Sequence, residues 1–288
     1  MTRHTFILNP TAGKGAGGRL LDSLRNELRS RHLPADIIVT NAPGHATQAA
    51  RESTADVVVS VGGDGTINEV VNGLPGTGKA LGILPAGSGN DFIKSVSIPS
   101  RFTSALEFLL RGTRRSIDLG TVSTDGSNSS PRFFVNGVGV GFDAAVAAKT
   151  REIKSLSGIA LYLAAVFQTL GRYRAPEFTI AMGASRPIVS RALLIAIGNG
   201  RCAGGGFYLT PDAKVDDGVL DVCVVEDKNL VQILTLMPRV MRGKHHSVSG
   251  VKFFQQMELT VNASDPFFVH ADGEIVGANV RHVHIGMR

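Results

Sequence analysis

Asp56-Val57-Val58-Val59-Ser60-Val61-Gly62-Gly63-Asp64-Gly65-Thr66-Ile67-Asn68-Glu69 is the stretch on which the fold turns. Its β-branched first half reads as a buried strand, the paired glycines as a tight turn, and residues 66–71 as the helix that follows. A glycine turn ending at a helix N-terminus presents main-chain N–H groups to an anion, which suits a phosphate. Asp64 is out of place in a bare phosphate loop, because its carboxylate repels the anion unless a divalent cation or its water stands between them. The stretch therefore reads as the core of a metal–nucleotide site. The alternative is a plain Gly-Gly-Asp-Gly turn, and the neighbouring segments decide between the two.

On the N-terminal side, residues 5–8 form a first short strand, 9–18 a glycine-rich loop, and Leu20, Leu21, Leu24 and Leu28 one face of a helix. A second strand at 36–40, a helix at 45–52 and, beyond the central stretch, a strand at 80–84 continue the alternation. Strands alternating with helices predict a parallel sheet covered on both faces. The first loop matches Gly-x-Gly-x-x-Gly at Gly13, Gly15 and Gly18, but the acidic residue that a dinucleotide fold needs at the end of the second strand is replaced by Thr40.

After the 80–84 strand comes Pro85-Ala86-Gly87-Ser88-Gly89-Asn90-Asp91-Phe92. This loop, together with Gly62-Gly63-Asp64-Gly65-Thr66, resembles the lipid kinase family of diacylglycerol kinases and sphingosine kinases, with Ser88 where the family usually has Thr. The Asn-Pro-x-x-Gly-x-Gly loop starting at Asn9 is similar to the family as well. The resemblance implies that ATP lies along Asn9, Pro10, Thr11, Ala12, Gly13, Thr40, Gly63, Asp64, Gly65, Thr66, Ile67, Asn68, Glu69 and Ser88, with Asp64 acting through Mg²⁺ or its water.

Beyond a helix at 101–111 the pattern changes, and strands dominate at 117–122, 132–138, 177–182, 191–197, 219–225, 257–261 and 280–285. A run of strands after an alternating half predicts a separate antiparallel β domain. The expected division is 1–115 for a doubly wound nucleotide-binding domain and 116–288 for a β-sandwich domain carrying the acceptor side, with the active site in the cleft between them and the C-terminus free to return to the first domain. The polar run at 124–131 reads as a surface hairpin loop.

Asp118-Leu119-Gly120, Asn136-Gly137 and the segment from Lys214 to Asp221 continue the resemblance over nearly the whole chain. In the family a turn of the latter kind binds a structural Mg²⁺, which implies Asp217 with the carbonyls of Lys214 and Val219 here, and Asp118 as a further member of the metal network. A metal-free Asp-Asp-Gly turn is the alternative. Near the C-terminus, Val269-His270-Ala271-Asp272-Gly273-Glu274 places Asp272 and Glu274 on one face if the backbone stays extended, a close carboxylate pair suited to proton transfer. An Asp-Gly hairpin turn with two solvated acids is the competing expectation. The resemblance assigns Glu274 as general base and Asp272 as its partner.

The 288 residues are 43% hydrophobic and 19% charged, the mark of a globular chain rather than a disordered one. A net charge of +6 is dispersed, and with three Tyr and no Trp it gives no aromatic-interleaved basic surface, so no nucleic acid partner is expected. The N-terminus lacks the apolar core of a signal peptide, Cys202 and Cys223 read as reduced structural thiols, and a cytoplasmic location is expected. The apolar run 156–170 is shorter than the roughly 20 residues that cross a bilayer. Flanked by Arg151, Lys154, Arg172 and Arg174, it reads as a buried or interfacial helix; it, or a helix at 230–242, offers a route to peripheral membrane association.

An ATP- and Mg²⁺-dependent kinase of a lipid hydroxyl in phospholipid metabolism is the function that follows. Its partner would be a lipid at a membrane surface, and the sequence leaves room for a homodimer. A soluble-acceptor kinase of the same superfamily, such as an NAD kinase, and a non-catalytic nucleotide-binding regulator are the alternatives.

Overall fold

The computed structural model describes residues 2–125, 131–150, 152–153, 156, 158–171 and 173–288. The polar run at 124–131 therefore lies mostly outside the described residues, as do Arg151, Lys154 and Arg172. The chain divides into two compact units, Met1–Ser116 and Ile117–Arg288.

The first unit contains β1 (His4–Leu8), α1 (Ala12–Arg19), α2 (Leu21–Ser30), β2 (Ala35–Val39), α3 (His45–Glu52), β3 (Val57–Gly62), α4 (Asp64–Gly73), β4 (Ala80–Pro85), α5 (Phe92–Ser95) and α6 (Phe102–Arg111). Its strands form one sheet in the order β2-β1-β3-β4, parallel at every step. Because strand side chains alternate between faces, Phe6, Leu8, Val57, Val59 and Val61 pack against Leu24 and Leu28 of α2 and Ala105 and Leu106 of α6. Ile7 and Val58 point the other way, onto Ala46, Ala49 and Ala50 of α3 and Val70 of α4. Each fully buried aliphatic side chain of this kind contributes roughly 1.5–3 kcal/mol, and the two faces together yield the doubly wound domain expected from the alternation.

One local element differs from expectation. The glycine-rich segment after β1 is helical from Ala12, with a left-handed run at Gly13, Lys14 and Gly15 (φ 56°, 56° and 85°). Gly17 lets this turn pack on the preceding chain, since a Cβ there would lie 2.1 Å from the Asn9 carbonyl oxygen.

The second unit contains β5 (Gly120–Thr124), β6 (Arg132–Phe134), β7 (Gly137–Gly141), α7 (Phe142–Thr150), α8 (Gly158–Leu170), β8 (Glu177–Met182), β9 (Ile188–Gly198), β10 (Leu220–Glu226), α9 (Leu230–Val240), β11 (Val251–Gln256), β12 (Glu258–Ala271) and β13 (Glu274–Met287). Its sheet is antiparallel in the order β11-β10-β9-β7-β12-β13-β5-β6, and β8 pairs with both β9 and β12. Period-two alternation again splits the core: Leu220, Val222 and Val224 of β10 join one cluster, while Cys223 and Val225 join α7, α8 and α9 in the other. Cys202 and Cys223 are free and buried, and burial pushes the Cys223 thiol up to about 12, which makes it unreactive.

The single strand expected at 132–138 is two, β6 and β7, interrupted at Val135 and Asn136. The short strands expected at 257–261 and 280–285 are parts of β12 and β13, which run 14 residues each as one hairpin. At the end of the chain Met287 pairs with Gly120, and the Arg288 N–H donates to the Leu119 carbonyl at 2.9 Å. Among the described residues no helix is long and apolar enough to cross a membrane.

Candidate active site

In the first unit β1 has β2 on one side and β3 on the other, so the loops leaving β1 and β3 part at the switch point where open parallel sheets bind ligands. Asn9, the first residue after β1, is fixed there. Its N–H donates to the Val61 carbonyl at 3.0 Å, its Nδ2 donates to Thr66 Oγ1 at 3.1 Å, and its Oδ1 accepts from the Thr11 N–H and hydroxyl at 3.0 and 2.8 Å. One side chain thus joins the loop after β1 to the first turn of α4.

The loop after β4 closes on the same point. The Ala86 N–H donates to the Gly62 carbonyl at 2.7 Å, and a Cβ on Gly13 would lie 2.2 Å from the Ala86 carbonyl oxygen. Gly63 and Gly87 also meet face to face, since a Cβ on Gly87 would sit 2.5 Å from the Gly63 Cα. Asp64 locks this contact, because its Oδ1 accepts the N–H groups of Asp91 and Phe92 at 2.9 and 3.2 Å. Asn90, at a left-handed φ of 48°, accepts the Gly87 N–H on Oδ1 and returns Nδ2 to the Gly87 carbonyl.

These contacts bring together most of the expected nucleotide residues, and they do so unequally. Asn9, Pro10, Ala12, Gly13, Gly63, Asp64 and Gly65 are half-buried, while Thr11 and Ser88 are exposed. Thr66, Ile67 and Asn68 have buried side chains, so what they present to a ligand is backbone. Gly63 caps α4 without a side chain, and the N-terminal N–H groups of that helix set a positive end toward the loop. Glu69 faces another element: its Oε2 accepts the Ala46 N–H at 3.2 Å, and its carbonyl accepts the Thr47 hydroxyl at 2.8 Å, at the start of α3. Thr40 follows β2, its N–H donating to the Leu8 carbonyl at 2.9 Å.

In the second unit the Asp272–Glu274 segment is not extended. Asp272 and Gly273 have φ of 49° and 82°, forming the two-residue turn between β12 and β13. The backbone is therefore not the extended one on which the same-face carboxylate pair was expected, and the two acids stand in different surroundings. Asp272 is buried rather than solvated. Its Oδ2 accepts the Val135 N–H at 3.0 Å and its Oδ1 accepts the N–H groups of Asn136 and Gly137 at 3.0 and 2.9 Å. This is why the strand expected at 132–138 breaks: its N–H groups there turn to a carboxylate instead of a neighbouring strand. Glu274 opens β13, opposite Ala271, and is half-buried.

A buried pair that the sequence did not disclose supports this turn. His270 Nε2 lies 2.9 Å from Asp143 Oδ2, and the Gly273 N–H donates to His270 Nδ1 at 3.3 Å. With Nδ1 accepting, the neutral ring carries its proton on Nε2 and donates it to Asp143. Gly139 makes the room, because a Cβ there would be 2.3 Å from both Asp143 Oδ2 and His270 Nε2. The available signal was alternation: Val269 and Ala271 face the sheet core, so His270 between them faces α7, where Asp143 lies.

Asp118 belongs with the 214–219 turn. Its N–H donates to the Val215 carbonyl and its Oδ2 accepts the Gly218 N–H, both at 2.7 Å. Asp217, on the same turn, is exposed and accepts the Val219 N–H on Oδ1 at 3.4 Å. Among the described residues no three His, Cys, Asp or Glu side chains gather as a metal site. An oxygen-only set of one or two carboxylates completed by carbonyls and water fits Mg²⁺ and does not fit a transition metal.

Comparison with known proteins bears on both units. Residues 3–122 match the family model described as the diacylglycerol kinase catalytic domain, and residues 136–285 match that of the YegS C-terminal NAD kinase beta sandwich-like domain. The chain is similar to a diacylglycerol kinase of Staphylococcus saprophyticus, 30% identical over 281 residues that span 96% of this chain and 90% of the relative. A diacylglycerol kinase of Mycobacterium tuberculosis is 29% identical over 275 residues, 94% of this chain and 88% of that one. A solved structure from Bacillus anthracis shares the fold, with a TM-score of 0.78 at 24% identity over 100% of this chain and 94% of the other.

Proposed function

This chain belongs to the diacylglycerol kinase catalytic-domain family, and from that premise we propose that it transfers the γ-phosphate of ATP to a lipid hydroxyl of the diacylglycerol or sphingoid type. The observation that supports this best is the meeting of three loops, after β1, β3 and β4, at one switch point within the family-matched segment. Asn9 through Gly13, the start of α4 and Ser88 line the phosphates in this reading. Phosphoryl transfer demands positioning and charge neutralisation above all, and glycine-tight loops held by Asn9, Asp64 and Asn90 supply positioning.

Glu274 takes the proton of the acceptor hydroxyl as that oxygen attacks the γ-phosphorus, and the bond to the β–γ bridging oxygen breaks to release ADP. Asp272 acts on Glu274 indirectly, by fixing the turn before it, which revises the carboxylate pair expected from sequence. Mg²⁺, when bound, supplies charge neutralisation; the residues to hold it are Asp64 at the phosphate loops and Asp217 with the Lys214 and Val219 carbonyls, supported by Asp118. The protein's partner is a lipid presented at a membrane surface, which it meets peripherally.

The test is transfer of labelled γ-phosphate from ATP to a total lipid extract, with the product identified by mass and with EDTA as the control. Labelled lipid is expected, with no NADP⁺ formed when NAD⁺ is the acceptor; robust NADP⁺ formation overturns the lipid assignment. Glu274→Gln should lower kcat by on the order of 100-fold and leave ATP affinity unchanged. Full transfer by that variant, or loss of ATP binding in proportion to rate, removes Glu274 from the role of base.

A further inference from the structure

α9 has a fixed start, since Asn229 Oδ1 accepts the Gln232 N–H at 3.0 Å and Gln232 Oε1 accepts the Asn229 N–H at 2.9 Å. Its inner face, Ile233, Leu236 and Val240, is buried in the cluster that also holds Phe142 and Val166. A surface helix ordinarily turns charged and polar residues outward. α9 instead exposes Leu230 (47%), Val231 (69%) and Leu234 (39%), with Met241 at its C-cap (37%). Of the ten exposed large apolar side chains among the described residues, these are four. Gln232, Thr235 and Arg239 share the exposed surface, so the outward side of α9 carries an apolar patch next to polar and cationic side chains.

The charges around α9 identify what covers it. Residues 228–257 contain no Asp or Glu, while Lys228, Arg239, Arg242, Lys244 and Lys252 all fall within them. Lys228 donates to the Ser249 carbonyl and Lys252 pairs with Glu226, so Arg239, Arg242 and Lys244, all exposed, are the cations beside the apolar face. Asp212 and Glu226 reach this stretch at His246 and Lys252, so a second copy of the chain docked symmetrically on this face would set Arg239, Arg242 and Lys244 against themselves and be repelled. Anionic headgroups over an apolar layer answer both features. With 11 residues α9 is roughly 16 Å long, too short to cross a bilayer and suited to lying in its interface.

We propose that the outer face of α9 docks this protein on anionic lipid surfaces, with Leu230, Val231, Leu234 and Met241 entering the headgroup boundary and Arg239, Arg242 and Lys244 meeting lipid phosphates. The proposal takes its purpose from the lipid kinase reading, and its test is separable from that reading. Flotation of the full chain is measured with vesicles of phosphatidylcholine alone and of phosphatidylcholine containing phosphatidylglycerol. Wild type should bind the second and bind the first weakly, with binding that falls as salt is added. Val231→Asp combined with Leu234→Asp should weaken binding at least about tenfold at unchanged Tm, since both side chains are exposed. Arg239→Glu, Arg242→Glu and Lys244→Glu together should abolish the preference for anionic vesicles.

Wild type that ignores anionic vesicles, or variants that bind as wild type does, overturns the proposal. Self-association of wild type in sedimentation that disappears in the Asp variant also overturns it, because the occupant is then a second copy. Assay on a monomeric short-chain diacylglycerol separates the two readings. Phosphorylation of that substrate without vesicle binding sinks the docking face alone, and vesicle binding without phosphorylation of any lipid sinks the kinase reading alone.

Discussion

Asp64 and Asp272 each sit beside a glycine at the end of a strand, and both have carboxylates that accept main-chain N–H groups, but the two units load them differently. Asp64 puts two donors, from Asp91 and Phe92, on a single oxygen. Asp272 spreads three donors, from Val135, Asn136 and Gly137, over both oxygens and is buried. An amide in place of Asp64 keeps the oxygen that accepts both bonds. An amide in place of Asp272 must turn its NH₂ toward a buried N–H, donor against donor. An amide therefore retains the bonds from Asp91 and Phe92 at position 64 and loses at least one of the three bonds at position 272.

Asp272→Asn should accordingly carry the largest stability cost, on the order of 3 kcal/mol, since it loses a charge-assisted bond and leaves a buried donor unmet. Asp64→Asn should cost about 1 kcal/mol in stability while removing most kinase activity. Urea unfolding of the two variants decides this. Equal losses would break the distinction, and so would an Asp64→Asn enzyme that keeps its rate at saturating Mg²⁺.

The same contrast explains what the sequence disclosed. In the first unit each strand, loop and helix is contiguous, so the β-branched run before Gly62 and the apolar faces of α2 and α3 placed β1 to β4 and the loops between them. The glycines at 13, 15, 17 and 18 hid α1, because glycine is read as a helix breaker, whereas here Gly17 allows close packing on Asn9. In the second unit the partners of Asp272 lie 135 to 137 residues away. No local pattern reports such a bond, although Asp-Gly does signal the turn itself. His270 and Asp143, 127 residues apart, were hidden for the same reason. The role proposed for Asp64 came from a carboxylate in a phosphate loop and that for Glu274 from the family resemblance, which was silent on the N–H groups that Asp272 holds.

Gly139→Ala probes the second unit's long-range network from the other side. Its new Cβ would lie 2.3 Å from both Asp143 Oδ2 and His270 Nε2, so the pair must part or β7 must shift, at a cost of about 2 kcal/mol. If the pair is what suffers, the cost should shrink by more than half in a His270→Ala background, where the ring is already gone. Thermal unfolding of the two single variants and the double variant measures that coupling. Additive losses would mean that Gly139 matters for the strand and not for the pair.

Asp221 completes the comparison as a buried carboxylate that the fold leaves nearly unserved, and it carries the smallest effect, of opposite sign. Gln255 Nε2 reaches its Oδ1 only at 3.4 Å, and its Oδ2 is buried without a partner. Burial raises its pKa above the ordinary carboxylate value, Asp217 and Asp212 add to the rise, and Gln255 and Lys214 oppose it. A raised carboxyl favours the protonated folded state, so its contribution to stability is complete below the ordinary value near pH 4 and is lost as pH climbs through the raised one. Above the raised value wild type must hold this buried charge against its desolvation cost. Asp221→Asn removes the charge while keeping the shape, and should raise Tm by a few degrees at pH 7, with the gain fading toward zero as pH approaches about 4. A gain that is constant across this range would mean that packing, and not charge, is responsible. A loss at pH 7 would mean that the Asp221 carboxylate is held by a partner after all, and that it stands with Asp272 rather than apart from it.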